Sequence, residues 1–158
     1  MTEAGKFVMI CLMLIGGSTG STAGGMKTTT FWVLCLSIFT TFFRKKNVEA
    51  FGRRMEENIT RTASCVFMTY LLAVSVASVL ISAVEGIPMI TALFEAVSAM
   101  ATVGLSFGVT PTVSMFTKLL LALLMICGRV GSITMLLAFS SEKRYTSSRL
   151  PLDKVQVG

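Results

Sequence analysis

Five apolar runs, separated by glycine-rich, polar or basic breaks, make up most of this chain. Residues 6–15 form an apolar stretch of half-helix length, and 26–43 resumes one of half-helix length or more. Residues 63–84 run for 22 positions without a charge. At 1.5 Å per residue such a run crosses a hydrocarbon core of about 30 Å. Gly86 and Pro88 then punctuate the chain. Residues 89–101 are apolar over only 13 positions, roughly 20 Å as a helix. That is too short to cross a bilayer and suits a re-entrant helix. The segment TVGLSFGVTP (102–111) reads as extended, and 118–139 is another spanning run. The pattern predicts an all-α membrane protein, with helices at 62–84, 89–101 and 115–140 and a polar tail at 141–158.

Between the first two runs stand ten small residues, GGSTGSTAGG (16–25). They are Gly16, Gly17, Ser18, Thr19, Gly20, Ser21, Thr22, Ala23, Gly24 and Gly25. Such a segment cannot hold a helix in lipid. Glycine costs about 1 kcal/mol relative to alanine at a helix interior, and unpaired backbone groups in hydrocarbon cost several kcal/mol each. Irregular backbone persists at membrane depth only where protein buries it or where it lines a water-filled path. Residues 1–43 therefore read as a broken transmembrane helix beside a pore or transport site. Two other readings weigh less. GSTAGGMKT (20–28) approaches a phosphate-binding loop, but Met26 separates Gly25 from Lys27, and that loop needs them adjacent. Gly16, Gly20 and Gly24 have the GxxxG spacing of packed helices, yet ten small residues in a row exceed what close packing requires.

Composition agrees with a bilayer: 53% of residues are hydrophobic and only 14% charged. The net charge of +6 is no nucleic-acid signal, because the basic residues cluster in two short segments beside apolar runs. Residues 44–61 hold six Lys or Arg against three Glu, and 140–158 hold four against two acids. Residues 85–118 hold only Lys118 against Glu85 and Glu95. By the excess of positive charge on the inner side, the loop 44–61 and the tail are expected to be cytoplasmic and 85–118 external. Asn58, in an NIT triplet, falls on the cytoplasmic side and has no role assigned. Cys11, Cys35, Cys65 and Cys127 lie in apolar runs with no CxxC pair and no histidine. They read as small buried apolar residues rather than metal ligands.

Two further features carry chemistry. Thr102, Val103, Gly104 and Leu105, with Ser106, follow a short re-entrant helix and precede a spanning one, a filter-like placement. A dehydrated cation needs carbonyl oxygens in place of its water, and an extended strand with its carbonyls aimed one way supplies them. Gly104 allows the unusual backbone angle this requires. The other reading of these residues is an ordinary external loop. Arg129 sits near the centre of the last apolar run, where an arginine costs about 2.5–3.5 kcal/mol on insertion scales. It is therefore expected to face the bundle interior and find acceptors. Snorkelling to the interface is hard with about ten residues on either side.

KFVMICLMLIGG (6–17) aligns without gaps to KLLLALLMICGR (118–129), matching Lys6, Leu12, Met13 and Gly16 to Lys118, Leu124, Met125 and Gly128. On this internal repeat, 1–43 is the end of one unit and 62–140 a complete one, so Met1 is expected to lie inside a longer protein.

SAMATVGLSFGVTP (98–111), IGGSTGSTAGGMKTTTF (15–31) and GRVGSITMLL (128–137) together resemble the Trk/Ktr/HKT superfamily of potassium transporters. The resemblance implies four helix–pore loop–helix repeats around one pore, each giving one filter strand with a central glycine. It makes 1–43 the broken second helix of repeat three, with 16–25 as an intramembrane gate loop below the filter. Residues 62–140 become repeat four, with 89–101 as its pore helix and 102–106 as its filter. Arg129 becomes the basic residue that faces the gate and latches it, and Lys27 either a second gate-facing charge or a residue solvated by loop water. No chemistry is catalysed and no cofactor is implied. K⁺ is the transported ion, bound only at the filter carbonyls. The implied partners are the N-terminal repeats of the same protein, a second copy in a homodimer, the cell membrane, and cytosolic nucleotide-binding regulatory subunits, with no nucleic acid. The alternative from another class is an accessory or structural membrane segment without a pore of its own.

Overall fold

The computed structural model of the chain describes residues 2–18, 24–43, 49–50, 53–55 and 57–130. Residues 19–23 of the glycine-rich stretch, most of 44–56, the end of the expected 115–140 helix and the 141–158 tail lie outside the described residues. In order come α1 (Glu3–Leu14), α2 (Thr28–Phe42), β1 (Glu49–Ala50), β2 (Arg53–Arg54), α3 (Glu57–Glu85), α4 (Met89–Met100) and α5 (Met115–Val130). The two short strands pair antiparallel, Glu49 with Arg54 and Ala50 with Arg53. Everything else regular among the described residues is helix.

Local chemistry explains the helix ends. The Thr2 hydroxyl accepts the Gly5 N–H at 3.3 Å and so caps α1, with Glu3 in the first turn suiting the positive helix end. α1 stops at Leu14, just before the glycines begin. α3 starts at Glu57 rather than near 62, because residues 57–61 contain neither glycine nor proline to halt it. Among the described residues it is the helix long and apolar enough to cross a membrane, over Asn58–Glu85. At its far end Gly86 takes φ +66, and Pro88 starts α4.

α4 is the centre of the packing. Every residue from Phe94 to Met100 is buried, and the helix packs against α1, α3 and α5. Met13 of α1, Val74 and Ile81 of α3, and Leu124 of α5 close around it. The Glu85 carboxylate, at the end of α3, accepts from the Ser114 N–H at 2.9 Å and from the hydroxyls of Ser114 and Thr117. It thereby fixes the start of α5, where a negative charge is favourable.

The outside is apolar as well. Leu72 on α3 is 65% exposed and Ile126 on α5 63%. In water such faces would drive association, whereas lipid tails are as apolar as leucine. The cysteines follow the same pattern. Cys127 is buried and Cys35 half-buried, but Cys11 and Cys65 are exposed. The expectation that all four are buried is thus corrected, since in this chain apolar no longer implies inside.

Candidate functional site

The site begins where α4 ends. Its last turn runs into Ala101, which is buried and caps the helix. The chain then reverses. The Thr102 N–H donates to the Ala99 carbonyl at 3.1 Å and the Val103 N–H to the Ser98 carbonyl at 3.0 Å. Thr102 has φ +55, and Gly104 has φ +82. A left-handed backbone is ordinary for glycine and an outlier for a β-branched residue, with a cost of order 1–3 kcal/mol. The buried Ser98 hydroxyl donates to the Leu105 carbonyl at 2.5 Å. Among the described residues the carbonyls of Thr102, Val103 and Gly104 accept no hydrogen bond. Val103, Gly104 and Leu105 are exposed, and Thr102 is half-buried. Four successive residues are therefore held at the negative end of a buried helix, three of them with unclaimed carbonyls.

The residue that sequence reasoning missed is Glu95. It is buried in the middle of α4 and only 6% exposed. Its Oε1 accepts from the Ser106 hydroxyl at 2.7 Å and the Phe107 N–H at 2.9 Å, and its Oε2 accepts from the Thr110 hydroxyl at 3.2 Å. The Phe107 ring lies 4.1 Å, centroid to centroid, from that of Phe94. Glu95 thus anchors the return segment from behind. The available signal was a single acid in an otherwise uncharged apolar helix of half length, which earlier entered only the charge count. Hydrogen bonds to a charged group are worth about 1.5–3 kcal/mol. Glu95→Ala in the full-length protein is expected to lower thermal stability by about that much. Glu95→Gln, which keeps a carbonyl oxygen for the Ser106 and Phe107 donors, should recover most of the loss. Equal melting temperatures for the two variants in detergent would remove the anchoring role.

The glycine-rich stretch returns on itself. Ile15 and Met26 form a parallel bridge, the Gly16 N–H donates to the Met26 carbonyl at 2.8 Å, and the Thr28 N–H donates to the Gly17 carbonyl at 3.2 Å. Both ends of the loop are thereby pinned together. Its returning foot is wedged into the site. The Gly24 N–H donates to the Thr102 hydroxyl at 2.8 Å, and the Gly25 N–H to the Gly128 carbonyl of α5 at 3.3 Å. Gly24 is buried, and Gly16, Gly17 and Gly25 are half-buried. The buried Tyr70 hydroxyl of α3 stands 3.8 Å from where a Gly25 Cβ would lie. An open cavity of about 370 Å³ separates the start of the loop from the reversal, with Gly16 and Gly17 on one wall and Thr102 and Val103 on the other.

The structure therefore brings the described ends of 16–25, Gly16 with Gly17 and Gly24 with Gly25, up to the other segment singled out in the sequence, 102–105. Thr19, Gly20, Ser21, Thr22 and Ala23 lie outside the described residues. Arg129 follows Gly128 directly, one residue from the carbonyl that receives the loop, and it is exposed. Lys27 is exposed at the start of α2.

Comparison with known proteins adds an independent line. The profile of the family described as TrkH, cation transport protein, matches residues 1–148. The potassium/sodium uptake protein NtpJ of Enterococcus hirae is 35% identical over 164 aligned residues, covering 100% of this chain and 36% of that protein. The Ktr system potassium uptake protein B of Bacillus subtilis is 32% identical over 158 residues, covering 100% of this chain and 35% of that protein. The protein of the same description from Vibrio alginolyticus is 33% identical over 135 residues, 85% of this chain and 30% of its own length. The chain thus spans about a third of the length of these relatives.

Proposed function

Because the chain belongs to the TrkH family of cation transport proteins, we propose that it supplies one filter strand and the gate of a K⁺ uptake pore in the cell membrane. The reading rests on one observation above all. The foot of the glycine-rich loop is bonded to the first residue of a segment that leaves the negative end of a buried half-length helix, a segment expected to be extended but turned instead by the left-handed backbone of Thr102 and Gly104. Thr102, Val103, Gly104 and Leu105 replace the water of a K⁺ ion with their carbonyls, and Ser98 and Glu95 hold the strand from behind. The loop 16–25 lies across the path below the filter, and Arg129 latches it closed.

In this reading the chain is the last helix of repeat three and the whole of repeat four. The other three strands come from the remainder of the same protein, which forms a homodimer. Residues 44–61 and the tail face the cytoplasm, where nucleotide-binding regulatory subunits press on the basic surface. The apolar exterior supports the membrane setting, and the charge asymmetry of the sequence supports the orientation.

Gly104 provides the test. Its φ of +82 is one that L side chains rarely adopt, and a Cβ there meets nothing within 4 Å. A substitution therefore acts through the backbone alone and turns the carbonyls. In the full-length protein, expressed in cells deficient in K⁺ uptake, Gly104→Ser is expected to reduce K⁺ over Na⁺ discrimination while the protein still inserts. Unchanged discrimination would remove residues 102–106 from the filter.

A further inference from the structure

The Thr102 hydroxyl stands at a junction that neither the filter nor the gate explains alone. We propose that the docked loop and the innermost ion of the filter compete for this one oxygen, so that K⁺ itself drives the loop off. The inference rests on the reading above, in which 102–105 is filter and 16–25 is gate.

Three observations carry it. First, the Gly24 N–H reaches the Thr102 Oγ1 at 2.8 Å, so the positive end of an N–H dipole occupies an oxygen at the base of the strand. Second, the fit is tight. A Cβ at Gly24 would come within 2.7 Å of the same oxygen and 2.6 Å of the Thr102 methyl. The foot therefore fills the space against the Thr102 side chain, and in the reading above an ion leaving the strand passes there. Third, Thr102 keeps φ +55 despite its branched side chain, and among the described residues its carbonyl accepts no hydrogen bond. A hydroxyl oxygen has two lone pairs, but a cation beside an N–H proton on that oxygen meets like charge. When the loop leaves, the hydroxyl and the Thr102 carbonyl are both available to a partly dehydrated K⁺. When the ion leaves, Gly24 returns.

The consequence is an uptake path whose gate answers to the ion it carries. At low K⁺ the loop docks, and a rising K⁺ population at the filter base undocks it. Thr102 then acts as a specificity residue and as a positioning residue for the gate.

The test follows the loop rather than transport. A single cysteine at Ser18, which is exposed, is placed in full-length protein lacking Cys11, Cys35, Cys65 and Cys127. Its rate of reaction with a small charged thiol reagent is read from the cytoplasmic side of inside-out vesicles. KCl is compared with choline chloride at equal ionic strength. The expected result is faster labelling in KCl. Thr102→Val, which keeps the branch and removes the acceptor, should label about two- to tenfold faster than the parent in choline and lose the K⁺ dependence. Thr102→Ser should behave as the parent. Labelling that ignores K⁺ in the parent protein overturns the proposal whether or not any Thr102 variant folds. Persistent K⁺ dependence in Thr102→Val overturns it as well. The Gly104→Ser selectivity measurement is separate: lost selectivity with K⁺-independent labelling leaves the filter standing and removes the shared oxygen.

Discussion

Arg129→Ala in the full-length transporter is expected to raise K⁺ flux about 10- to 150-fold and to weaken its dependence on a cytosolic regulator. The figure converts the 1.5–3 kcal/mol of a charged hydrogen bond at about 1.4 kcal/mol per decade. A run of small residues has many backbone states of similar energy, so the proposed gate needs something to hold the loop in place. Two contacts pin its foot, Gly24 to Thr102 and Gly25 to Gly128. Arg129 is the next residue along α5 from that second contact, and its guanidinium carries five donors. Combining Arg129→Ala with deletion of residues 19–23 should add little to either change alone, because both act on one latch. The measurement is K⁺ uptake normalised to inserted protein. A fall in flux for Arg129→Ala with insertion intact would make Arg129 structural.

Gly128→Ala is expected to destabilise the protein and collapse the site. A Cβ at Gly128 runs directly into the Met100 carbonyl at the end of α4. That neighbour is backbone, so no side-chain rotation relieves the clash. Overpacking of this kind typically costs about 1–3 kcal/mol, and here backbone must move as well. Pushing α5 from α4 also shifts the Gly128 carbonyl that holds the loop at Gly25. The expected result is a lower melting temperature together with flux that no longer responds to the regulator. Unchanged melting with unchanged regulation would show that the two helices can separate at no cost.

The helical character of the chain was legible because run length in apolar residues reports it directly. Residues 89–101 are too short to span, and α4 covers Met89–Met100. The break after Leu14 was legible because ten small residues cannot support a helix. The start of α3 was less so. Charge marked 57–61 as loop, whereas helix formation there needs only the absence of glycine and proline. At the site, residue types pointed to segments but not to which of their atoms meet. Thr102 was picked for its carbonyl, while the structure uses its hydroxyl as the acceptor for Gly24. Gly128 entered through its alignment with Gly16 and proves to be the point where α5 touches the end of α4. Glu95 was hidden because its partners, Ser106, Phe107 and Thr110, lie 11 to 15 residues away across a chain reversal. No local periodicity encodes such a pairing. Arg129 was expected to face the interior of the complete bundle, and in the described chain it is exposed.

The central claim is that the loop obstructs a selective path without being part of the filter. Deletion of residues 19–23 tests it most directly, with the full-length protein reconstituted in liposomes and K⁺ and Na⁺ fluxes measured on the same preparation. The account predicts a higher K⁺ flux with K⁺ over Na⁺ preference preserved, since 102–105 is held by Ser98, and the residues that follow it by Glu95, rather than by the deleted residues. Flux that stays the same or falls in correctly inserted protein would contradict it.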